Sequence, residues 1–355
     1  MDRAKPRAEV EPDPAPCAVT QTAWINAWTL RQACRALGVE LRTTEPRPEL
    51  PLPRAAASRP QDWLLFTEER SLLRALSGEL AGRFLPAQFP AALLDDKSAF
   101  GAWLDEAVQG PPGLPQWPLD QLAQARFPLL LKARHSWRGE VKLPRGWVCH
   151  DAAALQAALV ALPAQGLRPE WFFLQAWLGE APLRLLSVGG FFDADDESRN
   201  LACVTERLAG YGEGLSSSAA LATVADEHGL VAQAEAVLRR LRFRGPYEME
   251  FIAQAGAPCR VLELNPRFWM QHGIYLAAGN GLVKRCLGLD TAADRAAPPP
   301  SSVLWVDGVW LWRRLLRLDV SVLRLLRAGG RRRVVCPSLP AVLAASLWRL
   351  AGGAR

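Results

Sequence analysis

Residues 245–252 read GPYEMEFI, and residues 261–267 read VLELNPR. Each segment is a short, apolar-rich run of the kind that forms a β-strand. Between them lies AGAP at 255–258, and glycine with proline between two strand-like runs indicates a hairpin. The two segments therefore predict one antiparallel ribbon, which is the feature that decides the fold.

A hairpin closed by the loop 255–258 fixes which residues face one another. Because residues two apart along a strand share a face, the ribbon gathers its polar side chains on one side. The predicted cross-strand pairs are Gln254 with Cys259, Glu250 with Glu263, and Glu248 with Asn265.

The three glutamates of this face repel one another strongly unless positive charge lies among them. A hard divalent cation takes oxygen ligands, and Mg²⁺ usually shares such ligands with a nucleotide phosphate. Arg267, just past Pro266, adds a planar donor fork for a further anionic oxygen. On spacing alone, a solvent-facing polar side of a hairpin is an equal alternative to a metal site.

The bulk composition bounds the class of protein. A chain of 355 residues predicts two or three domains, and its net charge of +6 suits anionic ligands but is too diffuse to indicate nucleic acid.

Seven cysteines without a Cys-x-x-Cys pair favour reduced thiols in a cytosolic protein. Residues 1–16 are rich in proline and charge and predict disorder rather than a signal peptide. No apolar run reaches about 18 residues, so no transmembrane helix is expected.

The first part of the chain alternates strands and helices, which suggests a small α/β domain. The predicted strands there are 17–20, 39–43 and 63–67, with a helix at 23–37 and another ending at 80. Farther along, the predicted helices are 98–108, 151–162, 224–241 and 282–287, and the predicted strands are 127–132, 171–178 and 183–192.

Lys132 ends the buried-looking strand FPLLLK at 127–132. An unpaired lysine is costly to bury, and a phosphate is one partner that would justify its position. The alternative is a lysine whose amine reaches out to water at the end of the strand.

From residue 291 the composition changes to a proline-rich linker followed by many tryptophans and arginines. Residues 309–326 predict one basic amphipathic helix. Such a helix can lie on an anionic membrane or bind a partner, but packing on its own protein is the favoured interpretation.

Taken in order, Lys97, Lys132, the Gln175 strand and the ribbon form a series that resembles the ATP-grasp superfamily of carboxylate–amine ligases. The resemblance covers about 93–289, and Glu-x-Asn-x-Arg after a glutamate-bearing strand is its most specific part. It implies an ATP-grasp fold with a pre-ATP-grasp α/β domain before it.

The resemblance also implies roles for individual residues. Lys97 and Lys132 look like the two lysines that bind nucleotide phosphates, and Lys132 precedes the loop that covers them. Arg267 matches the arginine that steadies phosphate or acyl phosphate, and Arg207 is a second phosphate or carboxylate contact. The residues that match the adenine pocket are Gln175, Ala176, Trp177 and Leu178, with Glu180 nearest the ribose. The residues that match the metal ligands, for Mg²⁺ or Mn²⁺, are Glu250, Glu263 and Asn265.

We therefore expect an α/β (α+β) protein with disordered residues 1–16, a pre-ATP-grasp domain at 17–92, an ATP-grasp domain at 93–290 and a basic extension at 291–355. The expected function is that of a Mg²⁺- and ATP-dependent ligase, which activates a small carboxylate as an acyl phosphate for attack by an amine or thiol. A degenerate ATP-grasp scaffold without turnover is the alternative. We expect a cytoplasmic protein that binds no nucleic acid, and leave homodimerisation and weak membrane contact through the extension open.

Overall fold

The computed structural model describes residues 17–21, 25–44, 54–107, 112–139, 141–178, 183–211, 217–327 and 332–343. The segment 1–16 and the ribose candidate Glu180 lie outside these residues. Within the described ranges all seven cysteines are buried and free. No described helix is long and apolar enough to cross a membrane.

The chain begins with a small parallel sheet in the order β2-β1-β3. Its elements are β1 (Cys17–Thr20), α1 (Ile25–Ala36), β2 (Glu40–Thr43), β3 (Trp63–Leu64) and α2 (Glu69–Leu76). The predicted alternation of strands and helices is confirmed here. The third strand and the second helix are both shorter than predicted, since β3 ends at Leu64 and α2 at Leu76.

A four-stranded antiparallel sheet in the order β4-β9-β5-β8 follows, with a small hairpin, β6–β7, beside it. Its helix α5 begins where Asp151 accepts a hydrogen bond of 2.7 Å from the N–H of Ala154, as a helix cap should. The elements of this region are α3 (Ala91–Asp95), α4 (Lys97–Ala107), β4 (Gln116–Trp117), β5 (Leu129–Ala133), β6 (Trp137–Arg138), β7 (Val141–Lys142), β8 (Gly146–Cys149), α5 (Ala152–Ala161) and β9 (Phe172–Ala176).

The largest sheet has seven strands in the order β14-β13-β10-β11-β12-β15-β16, all antiparallel except the last pair. Its strands, with the helices between them, are β10 (Leu183–Asp193), β11 (Leu201–Gly210), β12 (Ser218–Val224), α6 (Leu230–Arg240), β13 (Arg244–Gln254), β14 (Arg260–Asn265), α7 (Gly281–Leu287), α8 (Ala292–Ala296), β15 (Val303–Asp307), α9 (Gly308–Leu316), α10 (Val320–Arg327) and β16 (Arg332–Cys336).

The helix predicted at 224–241 begins later than expected, at Leu230. Val224 instead ends β12, whose apolar residues are buried in the sheet. The carboxylate of Asp226 then accepts hydrogen bonds from the N–H groups of Leu230 and Val231, at 2.6 and 3.0 Å. Because these groups have no partner within the helix, the acceptor fixes where the helix starts.

Alternation along β13 decides which residues face the site. Met249 and Phe251 are fully buried in the core that α6 closes with Val237 and Leu238. Side chains of a strand alternate between the two faces, so Glu248 and Glu250 point away from this core.

The predicted register of the hairpin is correct at Glu248 and Glu250 and wrong near the turn. The pairs Glu248–Asn265 and Glu250–Glu263 are confirmed, but the next pair is Phe251 with Val261, which leaves Leu262 as an extra residue in a bulge. The turn accordingly closes one residue early, with the N–H of Ala257 donating to the carbonyl of Gln254 at 3.1 Å. The predicted pairing of Gln254 with Cys259 is therefore wrong.

The C-terminal segment continues the large sheet across the predicted boundary at 290, because β15 pairs with β12. The single helix predicted at 309–326 is wrong, since α9 and α10 are separated at Leu318, which has a φ of +54°. Trp310, Leu311 and Val322 are buried against the strands, so the two helices pack on their own protein as favoured.

We predict that Gly190→Ala destabilises the large sheet by about 3 kcal/mol or more. A Cβ atom at Gly190 would lie 1.7 Å from the carbonyl oxygen of Leu201 on β11, so the strands would have to separate. Urea unfolding measures the effect. Gly166→Asn is the control, because its surroundings are open and asparagine tolerates positive φ; an equal loss in both variants would contradict the prediction.

Candidate active site

The face of the ribbon that points away from the core carries a compact group of polar side chains. Asn265 donates from its amide nitrogen to Glu248 at 3.1 Å and to Glu250 at 3.4 Å. Glu263 lies directly across the strands from Glu250. The sequence prediction that these four side chains share a face is therefore confirmed.

Burial raises the pKa of Glu250 well above its ordinary value, and the neighbouring Glu263 and Glu248 add to the shift. Burial likewise raises the pKa of Glu248 to about 7, although Arg267 acts in the opposite direction. The face therefore holds negative charge at a high electrostatic cost, which a cation among the carboxylates would reduce.

The oxygen ligands of this face suit Mg²⁺ only if phosphate oxygens and water complete the coordination of the ion. Among the described residues no three His, Cys, Asp or Glu side chains are placed to hold a metal ion together. Carboxylates of Glu250 and Glu263 with phosphate oxygens and water fit the usual way in which Mg²⁺ is bound. The amide oxygen of Asn265 accepts instead from Arg267 at 3.3 Å, so ligation by Asn265 requires its amide to rotate.

Arg267 joins this face to the first part of the chain. Its guanidinium donates to the carboxylate of Glu69, in the first turn of α2, and to the carbonyl of Phe268 at 3.0 Å. Burial opposes the charge on Glu69, but Arg267, followed by Lys97, outweighs it and holds the pKa of Glu69 below its ordinary value. Both charges of the pair are therefore kept although the side chains are only 15% and 18% exposed.

Lys132 lies across from the carboxylates, on β5 of the four-stranded sheet. Its ammonium donates to the side-chain oxygen of Gln175 at 3.1 Å, and the residue is only 7% exposed, so the alternative of an amine reaching into water is wrong. Burial lowers the pKa of Lys132 to about 8, while Glu263 and Glu250 favour its charge. This electrostatic coupling places Lys132 near the carboxylates of the ribbon, and we call the space between the two sheets the cleft.

Lys97 is the first residue of α4 and contacts the start of the β6–β7 hairpin. Its ammonium donates to the hydroxyl of Ser136 at 3.1 Å, and its backbone N–H donates to the carbonyl of Arg134 at 2.8 Å. Asp96 is held by Arg134 at 3.1 Å and caps α4 through the N–H of Ser98 at 2.9 Å. The Asp-Lys pair is thus fixed beside the segment predicted to cover the phosphates.

Arg207 lies on β11, two residues beyond Thr205, which pairs with Ser187 on β10, and Ser187 pairs in turn with Glu250. By alternation along β11, Arg207 therefore shares the face of the large sheet that carries Glu250. Burial lowers the pKa of Arg207, Glu250 acts against this shift and Arg145 adds to it. Arg145, just before β8, also affects the pKa of Lys132 and of Glu250, and it donates to Ser217 at 2.7 Å.

Sequence reasoning missed Glu69 and Arg145. Glu69 and Arg267 are 198 positions apart, and no local pattern pairs them. Arg145 follows Pro144 and belongs to no motif in the sequence. Only the tertiary structure brings these two residues to the cleft.

The predicted adenine segment runs along the edge of the same cleft. Gln175 is buried and engaged with Lys132, and the N–H of Ala176 donates to the carbonyl of Pro115 at 2.8 Å. Trp177 and Leu178 are half-buried beyond it. Contact of this segment with a base stays a prediction.

A cavity of about 440 Å³ lies next to the cleft, between α2, α3 and the β6–β7 hairpin. This volume is in the ordinary range of small-molecule sites. Glu69, which pairs with Arg267, and Ser136, which contacts Lys97, both line the cavity. A molecule bound there would contact Glu69 and Ser136, the partners of Arg267 and Lys97 in the predicted phosphate site.

Known proteins match this chain in structure and not in sequence. No family model and no curated protein sequence matches it. The ADP complex of PurK, an N5-carboxyaminoimidazole ribonucleotide synthetase, matches with a TM-score of 0.61 at 14% identity, over 95% of this chain and 98% of that one. The chain has the ATP-grasp fold.

Further solved structures agree with this ATP-grasp assignment. The N5-carboxyaminoimidazole ribonucleotide synthetase of Thermus thermophilus matches with a TM-score of 0.53 at 17% identity, over 80% of each chain. The β,γ-ATP complex of biotin carboxylase from Campylobacter jejuni matches with a TM-score of 0.58 at 12% identity, over 80% of this chain and 73% of that one. The PurK match covers 95% of this chain, so the structural similarity extends beyond residues 93–289.

We predict that Glu69→Gln lowers the free energy of unfolding by about 3 kcal/mol, because it removes the carboxylate that pairs directly with the largely buried guanidinium of Arg267. Urea unfolding measures this loss. Glu79→Gln, which removes an exposed ion pair with Arg74 just after α2, is the matched control and should leave the stability unchanged. Equal effects of the two substitutions would contradict a structural role for the Glu69–Arg267 pair.

Proposed function

We propose that the protein is a Mg²⁺- and ATP-dependent ligase that activates a small carboxylate as an acyl phosphate for attack by an amine. The observation that carries the proposal is the buried Lys132, held by Gln175 opposite the partly buried carboxylates Glu250 and Glu263. Cations and carboxylates facing each other across a cleft suit a triphosphate with its metal ion, because phosphates need the cations and the metal needs the carboxylates.

Glu250 and Glu263 would hold the metal ion, with Asn265 as a third ligand once its amide has turned. When bound, Mg²⁺ or Mn²⁺ neutralises charge on the phosphate oxygens. Burial raises the pKa of Glu250 and repulsion by Glu263 and Glu248 adds to the shift; the ion would offset that repulsion.

The cations of the cleft would neutralise the phosphates from several sides. Lys132 and Lys97 come from the four-stranded region, and Arg207 and Arg267 come from the large sheet. Phosphoryl transfer to a carboxylate needs positioning and charge neutralisation more than covalent help from the protein. Gln175 holds Lys132, Ser136 holds Lys97 and Glu69 holds Arg267, so these three cations need little rearrangement to act.

The cavity lined by Glu69, the partner of Arg267, would receive the acid or its acceptor. A carboxylate is a poor electrophile, and phosphorylation supplies a leaving group that an amine, or less often a thiol, can displace. The structure of the Aspergillus clavatus N5-carboxyaminoimidazole synthase contains ADP and 5-aminoimidazole ribonucleotide, which carries an amine. An amine acceptor is the corresponding proposal for this chain, and a cytoplasmic location and homodimerisation stay predictions.

We predict that Glu263→Gln abolishes ATP turnover and leaves the fold intact, because it removes one of the two carboxylates proposed for the metal. ADP release with candidate acids and amines measures turnover, and circular dichroism reports the fold. Glu206→Gln is the matched control, since Glu206 lies on the opposite face of the same sheet, paired with Arg184 at 2.8 Å. Full turnover by Glu263→Gln would refute the assigned role.

We also predict that ATP with Mg²⁺ raises the thermal midpoint of the wild-type protein and that Lys132→Met removes most of this shift. A ligand at 100 times its dissociation constant stabilises the native state by about 2.7 kcal/mol. Methionine preserves the apolar stem of Lys132 but not its charge. An undiminished shift in the variant would show that Lys132 does not bind nucleotide.

A further inference from the structure

The turn between α9 and α10 exposes an unusual amount of apolar surface. Leu316, Leu318, Val320 and Leu323 are 65%, 86%, 62% and 43% exposed. These four side chains lie within eight residues of the sequence and are surrounded by exposed arginines. The arginine–leucine patch consists of Arg313, Leu316, Arg317, Leu318, Val320, Leu323, Arg324 and Arg327.

The fold does not need these apolar side chains. The two helices are attached to the large sheet by their other sides, through Trp310, Leu311 and Val322. Leu318 has a φ of +54°, a conformation that glycine or asparagine adopts more readily than leucine. Neither the backbone nor the core therefore accounts for a leucine at this position.

The charge of the patch is strongly positive. Residues 308–327 contain five arginines and one acidic residue, Asp319, which pairs with Arg314 at 2.5 Å. The remaining four arginines are exposed around the apolar side chains. A complementary surface must therefore offer both negative charge and apolar material.

We propose that the arginine–leucine patch binds an anionic lipid surface. Leu316, Leu318 and Val320 enter the boundary between headgroups and acyl chains, and the arginines contact lipid phosphates. A nucleic acid backbone would use the arginines and gain nothing from the leucines. The four apolar side chains also surround a helix–helix turn rather than one groove, so a lipid surface suits them better than an acidic protein.

Sedimentation of the full chain with sucrose-loaded vesicles tests the proposal. The vesicles are phosphatidylcholine alone, or phosphatidylcholine with about one third phosphatidylserine. We expect binding to the anionic vesicles and much weaker binding to the neutral ones. Failure of the wild-type protein to bind the anionic vesicles, or equal binding to both, overturns the proposal.

Variants separate the apolar contribution from the electrostatic one. Leu316→Gln with Leu318→Asn should weaken anionic-vesicle binding about tenfold or more. Asparagine accepts positive φ, so this variant should keep the wild-type thermal unfolding midpoint. Val160→Gln, at a position 68% exposed on α5, is the matched control and should bind like the wild type.

Arg317→Gln with Arg324→Gln should weaken binding about fivefold for each arginine removed. Arg240→Gln, at the exposed end of α6, is the control and should have no effect. Binding that falls with the arginines but not with the leucines would assign the patch to a soluble polyanion and overturn the lipid proposal.

Discussion

Repulsion between carboxylates gathered on one strand face is the constraint on which the rest of the site depends. Glu248 and Glu250 lie there because Met249 and Phe251 must face the core under α6. The charge they carry is compensated by cations from distant parts of the chain: Lys132 from β5, Arg207 from β11 and Arg267 beyond β14. The cleft is consequently complete only when the four-stranded sheet, the large sheet and the small parallel sheet with α2 are packed together.

Much of this arrangement could be predicted from the sequence, because it follows from local rules. Alternation along the two ribbon strands gathers the carboxylates on one face, and a lysine that ends an apolar strand indicates a buried countercharge. The unpredictable parts depend on contacts between distant segments. Nothing near Glu69 in the sequence points to Arg267, and the break at Leu318 occurs in a stretch whose composition is uniformly that of an amphipathic helix.

Agreement in structure at 14% identity, with no match in sequence, reflects what a fold requires. Burial needs apolar residues at the right period, and many sequences satisfy that pattern. A chemical site instead needs particular residues at a few positions, as we propose for Glu263 and Lys132. Fold and function therefore rest on different residues of this chain, and similarity in one does not establish the other.

The bulge at Leu262 has a consequence for comparing this chain with others. A register counted from the turn, with four loop residues assumed, gives the correct pairs at the site only because two errors cancel. The turn is one residue shorter than assumed, and the extra residue of the bulge restores the difference. A one-residue slip moves every side chain of a strand to the opposite face. An alignment anchored on the turn would thus exchange Glu263 for Leu262 or Leu264, whereas one anchored on Asn265 and Arg267 keeps the carboxylate in register.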